Sequence, residues 1–515
     1  MLKKYIPYMV SLIGGVLYAS GFPMATSHSF ILGPLLGFLL FNYSLARLTS
    51  LTQQLLVALT YSLGFYLFGF YWIPHLLQEF GGLTPPFNYL LGLFFSLLII
   101  PQVYFYVLIK RKLHIKSNLV GIAFFYALLE MLVPQQFPAH LGHTFISLVP
   151  QFHLHLAPIF GAPVFSFITA LLALAILARS LPHLVLCLLL LVFNFLPLTL
   201  QNPADQLPAM TVRIIQPNIG NFLKVDSEKG STNSLQEVYQ SYYDLSTAPS
   251  YAPLDLIVWP ETSFPSLLSS DMFHNNPEYK TPKLLQDIIS KTGAELFIGG
   301  YDLKSKSDRF LFQSEFNTAF HFDKTMKLKN VYHKIRLIPF GEGLPFGPFN
   351  EFLSKHISNV SFFAAGTEQT LFKLANNTPF VSAICYEILF PQFIRAALYE
   401  QKEEPQFLIN LTNDSWYGDT AEPAQHLFLA KWRAIEFNLP IIRSTNTGIS
   451  TVIRANGSQS QTLSIGEKNF LDVNLQFQKR AATPYEKNGY LNFLILVIVL
   501  IAGEKILLSR ARAGE

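Results

Sequence analysis

The sequence predicts a helical membrane protein that carries one large α/β domain on a single side of the bilayer. Three observations lead there. The chain is 50% hydrophobic and 14% charged, whereas an ordinary soluble domain is about 25% charged. The charge is uneven: positions 1–200 hold eight basic and two acidic residues, and the rest of the chain holds 29 and 31. The polar remainder alternates short β-branched runs with helical periodicity, the pattern of an α/β sheet. Together these exclude a single soluble globule, a disordered chain and a nucleic-acid binder. The positive charge lies in short loops between apolar runs, which suits membrane topology rather than a phosphate-binding face. Two cysteines, Cys187 in an apolar run and Cys385 in the polar part, exclude a disulfide framework.

A helix needs about 20 apolar residues to cross a bilayer. Candidate spans cover 5–20, 30–46, 55–73, 88–109, 118–134, 158–178, 182–200 and 489–507. The first also has the form of a secretory signal, with Lys3 and Lys4 ahead of an apolar stretch. Basic residues mark alternate loops: Lys3 and Lys4, then Arg47, then Lys110, Arg111, Lys112 and Lys116, then Arg179, then Lys505, Arg510 and Arg512. The intervening loops have no Lys or Arg. By the positive-inside rule both termini are cytoplasmic and about 203–486 lies outside. The predicted division is 1–202 for a bundle of about seven spans, 203–486 for the outer domain, and 487–515 for a last helix and tail.

Two features of the apolar part have competing readings. Glu130, near the end of the fifth span, is either a functional intramembrane carboxylate or a helix-end group at the interface. His140, His143, His153 and His155 lie in an outer loop without Cys or acidic companions. Solvated loop positions or headgroup contacts explain them better than zinc does.

In the outer domain, strands are predicted at 212–216, 256–259, 295–299, 380–385, 407–411, 441–444 and 450–453. Helices are predicted at 234–245, 282–291, 391–400 and 424–437. About 280 residues suffice to bury a core. Three segments carry chemistry. Asp255-Leu-Ile-Val-Trp-Pro-Glu261 is an apolar strand stopped by Pro260, which sets Glu261 beyond its end. Tyr332-His-Lys334 leads on to Gly341-Glu342, adding a lysine and a second carboxylate. Phe380-Val-Ser-Ala-Ile-Cys385-Tyr-Glu387 is a buried strand ending in a thiol. A free thiol has a pKa of about 8.5 and needs help to ionise. A desolvated Glu can take its proton, and a Lys can hold the charge on an attacked carbonyl oxygen. Such a set suits acyl transfer through a thioester.

These three motifs, in this order and spacing, resemble the Glu-Lys-Cys centre of the nitrilase superfamily. With spans on either side, the chain resembles the apolipoprotein N-acyltransferases of bacterial envelopes. Gln216-Pro-Asn-Ile219, Phe80-Gly-Gly82, Thr412-Asn-Asp-Ser-Trp-Tyr-Gly418 and Arg443-Ser-Thr-Asn-Thr-Gly448 extend the likeness over nearly the whole chain. Departures are Val225 after Leu223-Lys224 and Ala139 after Phe137-Pro138, where the family often has Trp.

The resemblance implies an α-β-β-α sandwich for the outer domain. It implies Cys385 as nucleophile, Glu261 as general base and Lys334 as oxyanion stabiliser. Glu342 would be a second essential carboxylate, and Tyr386 and Glu387 would shape the surroundings of the nucleophile, with Glu387 alternatively anchoring strands. Trp416 and Tyr417 would wall an acyl pocket or pack the core. Leu344-Pro-Phe-Gly-Pro-Phe349, with Phe346 and Phe349, and Phe362-Phe363 would form a lid dipping into the interface.

The implied reaction moves an acyl chain from a phospholipid, by family habit phosphatidylethanolamine, to the amine of a diacylglyceryl-cysteine lipoprotein. No cofactor, metal or nucleic acid is expected, and a monomer is expected in the inner membrane. The rival readings are a membrane-tethered amidase with water as acceptor, and a transporter or receptor whose outer domain only binds. Spans nearly free of ionisable residues argue against the second rival.

Overall fold

The computed structural model describes residues 2–24, 29–79, 82–112, 118–196, 208–303, 314–339, 341–343, 347, 349–354, 362–476 and 478–513. The first part is helical: α1 (Ile6–Ala19), α2 (Gly33–Ala46), α3 (Leu51–Gly69), α4 (Ile73–Glu79), α5 (Phe87–Phe95), α6 (Gln102–Lys112), α7 (Leu119–Leu132), α8 (Ala157–Phe160), α9 (Pro163–Ala178) and α10 (Leu181–Phe195). Pro stands at the start of α1, α2, α8, α9 and α10, where its missing N–H costs nothing.

The expected span 88–109 is instead two helices, α5 and α6, with a non-helical break at 96–101. Pro101 supplies the physical reason: it has no N–H to donate and steers residue 100 away from the helical region. Among the described residues one helix, α3, is both long and apolar enough to cross a membrane. α1, α2, α7, α9 and α10 are apolar but have 14–16 residues, reaching about 21–24 Å at 1.5 Å per residue.

Glu130 is buried. Its Oε1 accepts from the Leu141 N–H at 2.9 Å and faces the Tyr18 hydroxyl at 3.4 Å, so it ties α7 to the loop that follows rather than sitting at an exposed helix end. His143 departs from the solvated reading: it is buried, stacks on His140 with ring centroids 4.5 Å apart, and its carbonyl accepts from Trp432.

The second part is built from β1 (Met210–Gln216), α11 (Asn221–Glu228), α12 (Thr232–Thr247), β2 (Leu256–Val258), β3 (Leu267–Leu268), α13 (Ser270–Asn275), α14 (Lys283–Thr292), β4 (Glu295–Leu303), β5 (Glu315–Phe322) and β6 (Leu328–His333). It continues with α15 (Phe349–Ser354), β7 (Phe372–Lys373), β8 (Pro379–Ile384), α16 (Pro391–Tyr399), β9 (Phe407–Thr412), α17 (Glu422–Glu436), β10 (Ile441–Thr445), β11 (Ser450–Ile453), β12 (Gln459–Leu463) and β13 (Asn469–Leu475). α18 (Pro484–Asn488) and α19 (Leu491–Ala513) close the chain. The order in one sheet is β13-β1-β2-β4-β5-β6, with β3 against β4; in the other it is β12-β11-β10-β9-β8-β7.

Strand alternation decides which residues meet. Val212, Ile214, Leu256, Val258 and Phe297 of the first sheet share a core with Phe380, Ile384, Phe407, Ile409, Leu411 and Ile442 of the second. The alternate residues Ile215, Ile257 and Trp259 pack against α12 and α14. Val381, Ala383 and Leu408 face α16, α17 and, through them, the helical part. The result is an α-β-β-α sandwich whose second helical layer is continuous with the apolar helices.

Candidate active site

The sheet topology gathers the sequence-predicted residues at one end. β1, β2 and β4 run parallel, as do β8, β9 and β10. β5 is antiparallel to β4 and β6 is antiparallel to β5, so β6 points the same way as β4. Glu261 follows β2, Lys334 follows β6, Cys385 follows β8 and Asn413 follows β9. The crevice beyond the carboxyl ends of parallel strands is where α/β sheets place their chemistry. Asn317, near the start of the oppositely directed β5, reaches the same end.

Glu261, Lys334 and Glu342 form one buried network. Lys334 Nζ donates to Glu261 Oε1 at 3.1 Å and to Glu342 Oε1 at 2.9 Å. Asn317 Nδ2 donates to Glu261 Oε1 at 2.8 Å and to Glu342 Oε1 at 2.9 Å. The Asn413 N–H donates to Glu261 Oε2, and the Ile338 N–H to Glu342 Oε2. Burial alone would push the Lys334 ammonium down; the charges of Glu261, Glu342 and Cys385 outweigh it, and the net direction is up. Lys334 is therefore a fixed cation at neutral pH.

Cys385 is 3% exposed and sits in the same buried region, within reach of those charges. Burial pushes its thiol well up and Glu261 pushes it further, while Lys334 pulls it down. An unassisted thiolate is therefore scarce at neutral pH. Its φ of +52° is left-handed, as is that of Thr262 at +45°. Two strained residues flanking one crevice fit a functional site, since such conformations persist only where surroundings over-determine them. At Gly299 a Cβ would fall on the Pro260 carbonyl, so the turn carrying Glu261 needs glycine beneath it.

Glu387 anchors rather than lines the crevice. Its carboxylate accepts from the N–H groups of Ile335 and Arg336 just after Lys334, from Ile384 just before Cys385, and from the Tyr332 hydroxyl, all at 2.8–2.9 Å. It thereby clamps the loop after Lys334 to the strand that ends at Cys385. The Tyr386 hydroxyl donates to Gln136 Oε1 at 3.2 Å, joining the crevice edge to the helical part. Tyr417 packs edge-on against Trp72 of the helical part, with centroids 5.4 Å apart, and Trp416 is half-buried beside it. Phe349 is exposed at the start of α15. Phe346 lies outside the described residues, as do Leu344, Pro345 and Pro348. Phe363 stacks on Tyr301, with centroids 5.9 Å apart.

Sequence reasoning passed over Asn317, the bridge between the two carboxylates. The strand 315–322 that carries it was not predicted, although Phe316, Thr318, Phe320 and Phe322 alternate as a strand would. It also passed over the buried Lys224, which donates to Thr262 Oγ1 next to Glu261. Donor groups for a metal converge at Asp414, Glu422 and His426, all buried, with ligand atoms within 4.8 Å of one another. Arg443 Nη2, 3.1 Å from Asp414 Oδ2, already supplies a cation there.

Residues 211–485 match the carbon-nitrogen hydrolase family, and residues 14–175 match the apolipoprotein N-acyltransferase N-terminal domain. The apolipoprotein N-acyltransferase of Bdellovibrio bacteriovorus is 33% identical over 478 residues, spanning 87% of this chain and 85% of its own. That of Haemophilus influenzae is 28% identical over 531 residues, spanning 97% and 94%. Among solved structures, an amidase from Nesterenkonia sp. aligns over 54% of this chain and 92% of its own, at 16% identity and a TM-score of 0.36. With both of its parts matched and a 33% identical relative aligned over 85% of its own length, the chain belongs to the apolipoprotein N-acyltransferase family.

Proposed function

We propose that the chain transfers a fatty acyl group from a phospholipid to the N-terminal amine of a diacylglyceryl-cysteine lipoprotein, through a thioester on Cys385. The observation that carries this reading is the buried Glu261–Lys334–Glu342 network beside a buried thiol on a strained backbone. Glu261 removes the thiol proton, and Cys385 Sγ attacks an ester carbonyl, that of the sn-1 chain of phosphatidylethanolamine. Lys334 and the Tyr386 backbone N–H hold the developing oxyanion. The ester C–O bond breaks, Glu261 returns the proton to the leaving glycerol oxygen, and a lysophospholipid departs. The lipoprotein amine then gives a proton to Glu261 and attacks the thioester, forming the amide and freeing the thiol. This is ping-pong chemistry. Glu342 and Asn317 hold Lys334 and Glu261 in place, and Glu387 holds their loops together.

The helical part fits this role. Both substrates keep their acyl chains in the bilayer, and extracting them would cost about 0.8 kcal/mol per CH₂. A polytopic helical anchor, with 203–486 outside the cytoplasmic membrane and both termini inside, keeps the crevice at the outer leaflet. Trp416, Tyr417, Phe346 and Phe349 would then contact acyl chains. The enzyme would act as a monomer without a metal or cofactor.

Intact-protein mass spectrometry after incubation with phosphatidylethanolamine tests the first half-reaction. The expected result is a hydroxylamine-labile acyl adduct that is absent from Cys385→Ala. An adduct on Cys187 or on a lysine overturns the assignment. Adding a diacylated lipopeptide should discharge the adduct as amide; release of free fatty acid alone would favour a hydrolase. Glu261→Gln should move two readouts in opposite directions. It removes the base, so adduct formation falls by at least about 100-fold. It also removes a charge that raises the thiol pKa and leaves Lys334 in place, so iodoacetamide should alkylate Cys385 faster at neutral pH.

A further inference from the structure

The peptide between Cys385 and Tyr386 has its oxygen held from outside the two sheets. Nε2 of His426, on α17, lies 3.3 Å from the Cys385 carbonyl oxygen. A carbonyl only accepts, so Nε2 carries the proton and Nδ1 is bare. Nδ1 faces Asp414 Oδ1 at 3.4 Å and Glu422 Oε1 at 3.7 Å. Arg443 Nη2 lies 3.1 Å from Asp414 Oδ2 on the far side of the cluster. A Cβ at Gly448 would fall on Asp414 Oδ2, so the packing around that carboxylate leaves no slack.

The trans peptide is planar, with its N–H opposite its C=O. Whatever grips the Cys385 oxygen therefore also aims the Tyr386 N–H. The neighbouring residue on α17, Gln425, is fixed from the other side: its Nε2 donates to the Gly69 carbonyl at 2.9 Å, and its Oε1 accepts from Trp72 Nε1 at 3.2 Å. α17 therefore bridges the end of α3 and the peptide that follows the thiol.

We propose that His426 is a positioning residue for acyl transfer, holding the Cys385–Tyr386 peptide so that both the left-handed thiol residue and the oxyanion-donating N–H face the reacting carbonyl. The proposal rests on Cys385 being the nucleophile. The test uses the full-length enzyme and two neutral amide variants. His426→Gln places an N–H near Nε2, and His426→Asn places one near Nδ1, short of the carbonyl. The readouts are the burst rate of Cys385 acylation by phosphatidylethanolamine in mixed micelles, per folded molecule, and the KM for the phospholipid.

His426→Asn should lower the burst rate about 100-fold with KM changed less than about twofold, because a small misplacement of reacting groups has that order of effect. His426→Gln should recover at least about tenfold of the loss. Equal bursts in His426→Asn and wild type overturn the proposal, as does a Gln variant no better than Asn, or a loss expressed in KM. Absence of any Cys385 adduct in the wild type is a different failure: it removes the nucleophile itself, and this proposal with it.

Discussion

α14 and α17 both cover an outer sheet face, yet they are made differently. α14 buries Leu285, Ile288 and Ile289 and turns Lys283 and Asp287 to solvent, an ordinary amphipathic helix. α17 buries 13 of its 15 residues, including Glu422, Gln425, His426, Arg433 and Glu436. One side of it packs on the second sheet and the other on the apolar helices. Its polar groups therefore have little water to turn to, and several are matched within the protein. Gln425 bonds Gly69 and Trp72, Trp432 bonds His143, and Arg433 bonds the Leu389 carbonyl and Glu436. The lesson is that a polar stripe on a helix identifies a solvent face only when nothing else lies beyond it. In this chain the stripe is the joint between the helical part and the candidate site.

Substitutions can break that contrast in order of size. Glu436 Oε1 accepts from the Ala162 N–H and Oε2 lies 2.7 Å from Arg433. Glu436→Ala strands a buried guanidinium and should destabilise the protein by about 3–5 kcal/mol, seen as a large fall in thermal midpoint in detergent. Gln425→Ala leaves a buried carbonyl and an indole N–H short of partners and should cost about 1–3 kcal/mol. On α14, Lys283→Ala removes an exposed pair with Asp287 and should cost no more than about 0.5 kcal/mol. Equal losses at Gln425 and Lys283 would mean that α17 is not a joint, and the comparison would fail.

Much of the candidate site could be read from local sequence because strand ends announce themselves. Pro260 stops an apolar run and leaves Glu261 beyond it; Cys385 closes another such run. Asn317 escaped because an amide within a strand has no sequence signature, and its role comes only from the antiparallel return of β5 beside Glu261 and Glu342. His426 escaped for a related reason. It lies on a correctly expected helix, but its partner is a backbone carbonyl 41 residues earlier, and carbonyls carry no side-chain code. The single span expected at 88–109 failed on Pro101, a residue present in the sequence but outweighed by apolar composition.

Composition, charge placement and strand periodicity settled that the chain has an apolar helical part and an α/β part, because burial and solvation act on each residue where it stands. The carboxylate, lysine and thiol were likewise legible as types fit for acyl chemistry. Their convergence was decided by sheet order, which brings residues 73 and 51 positions apart to one end of two facing sheets. So was the burial of α17, since a helix carries one pattern while its surroundings are set by every element packed around it.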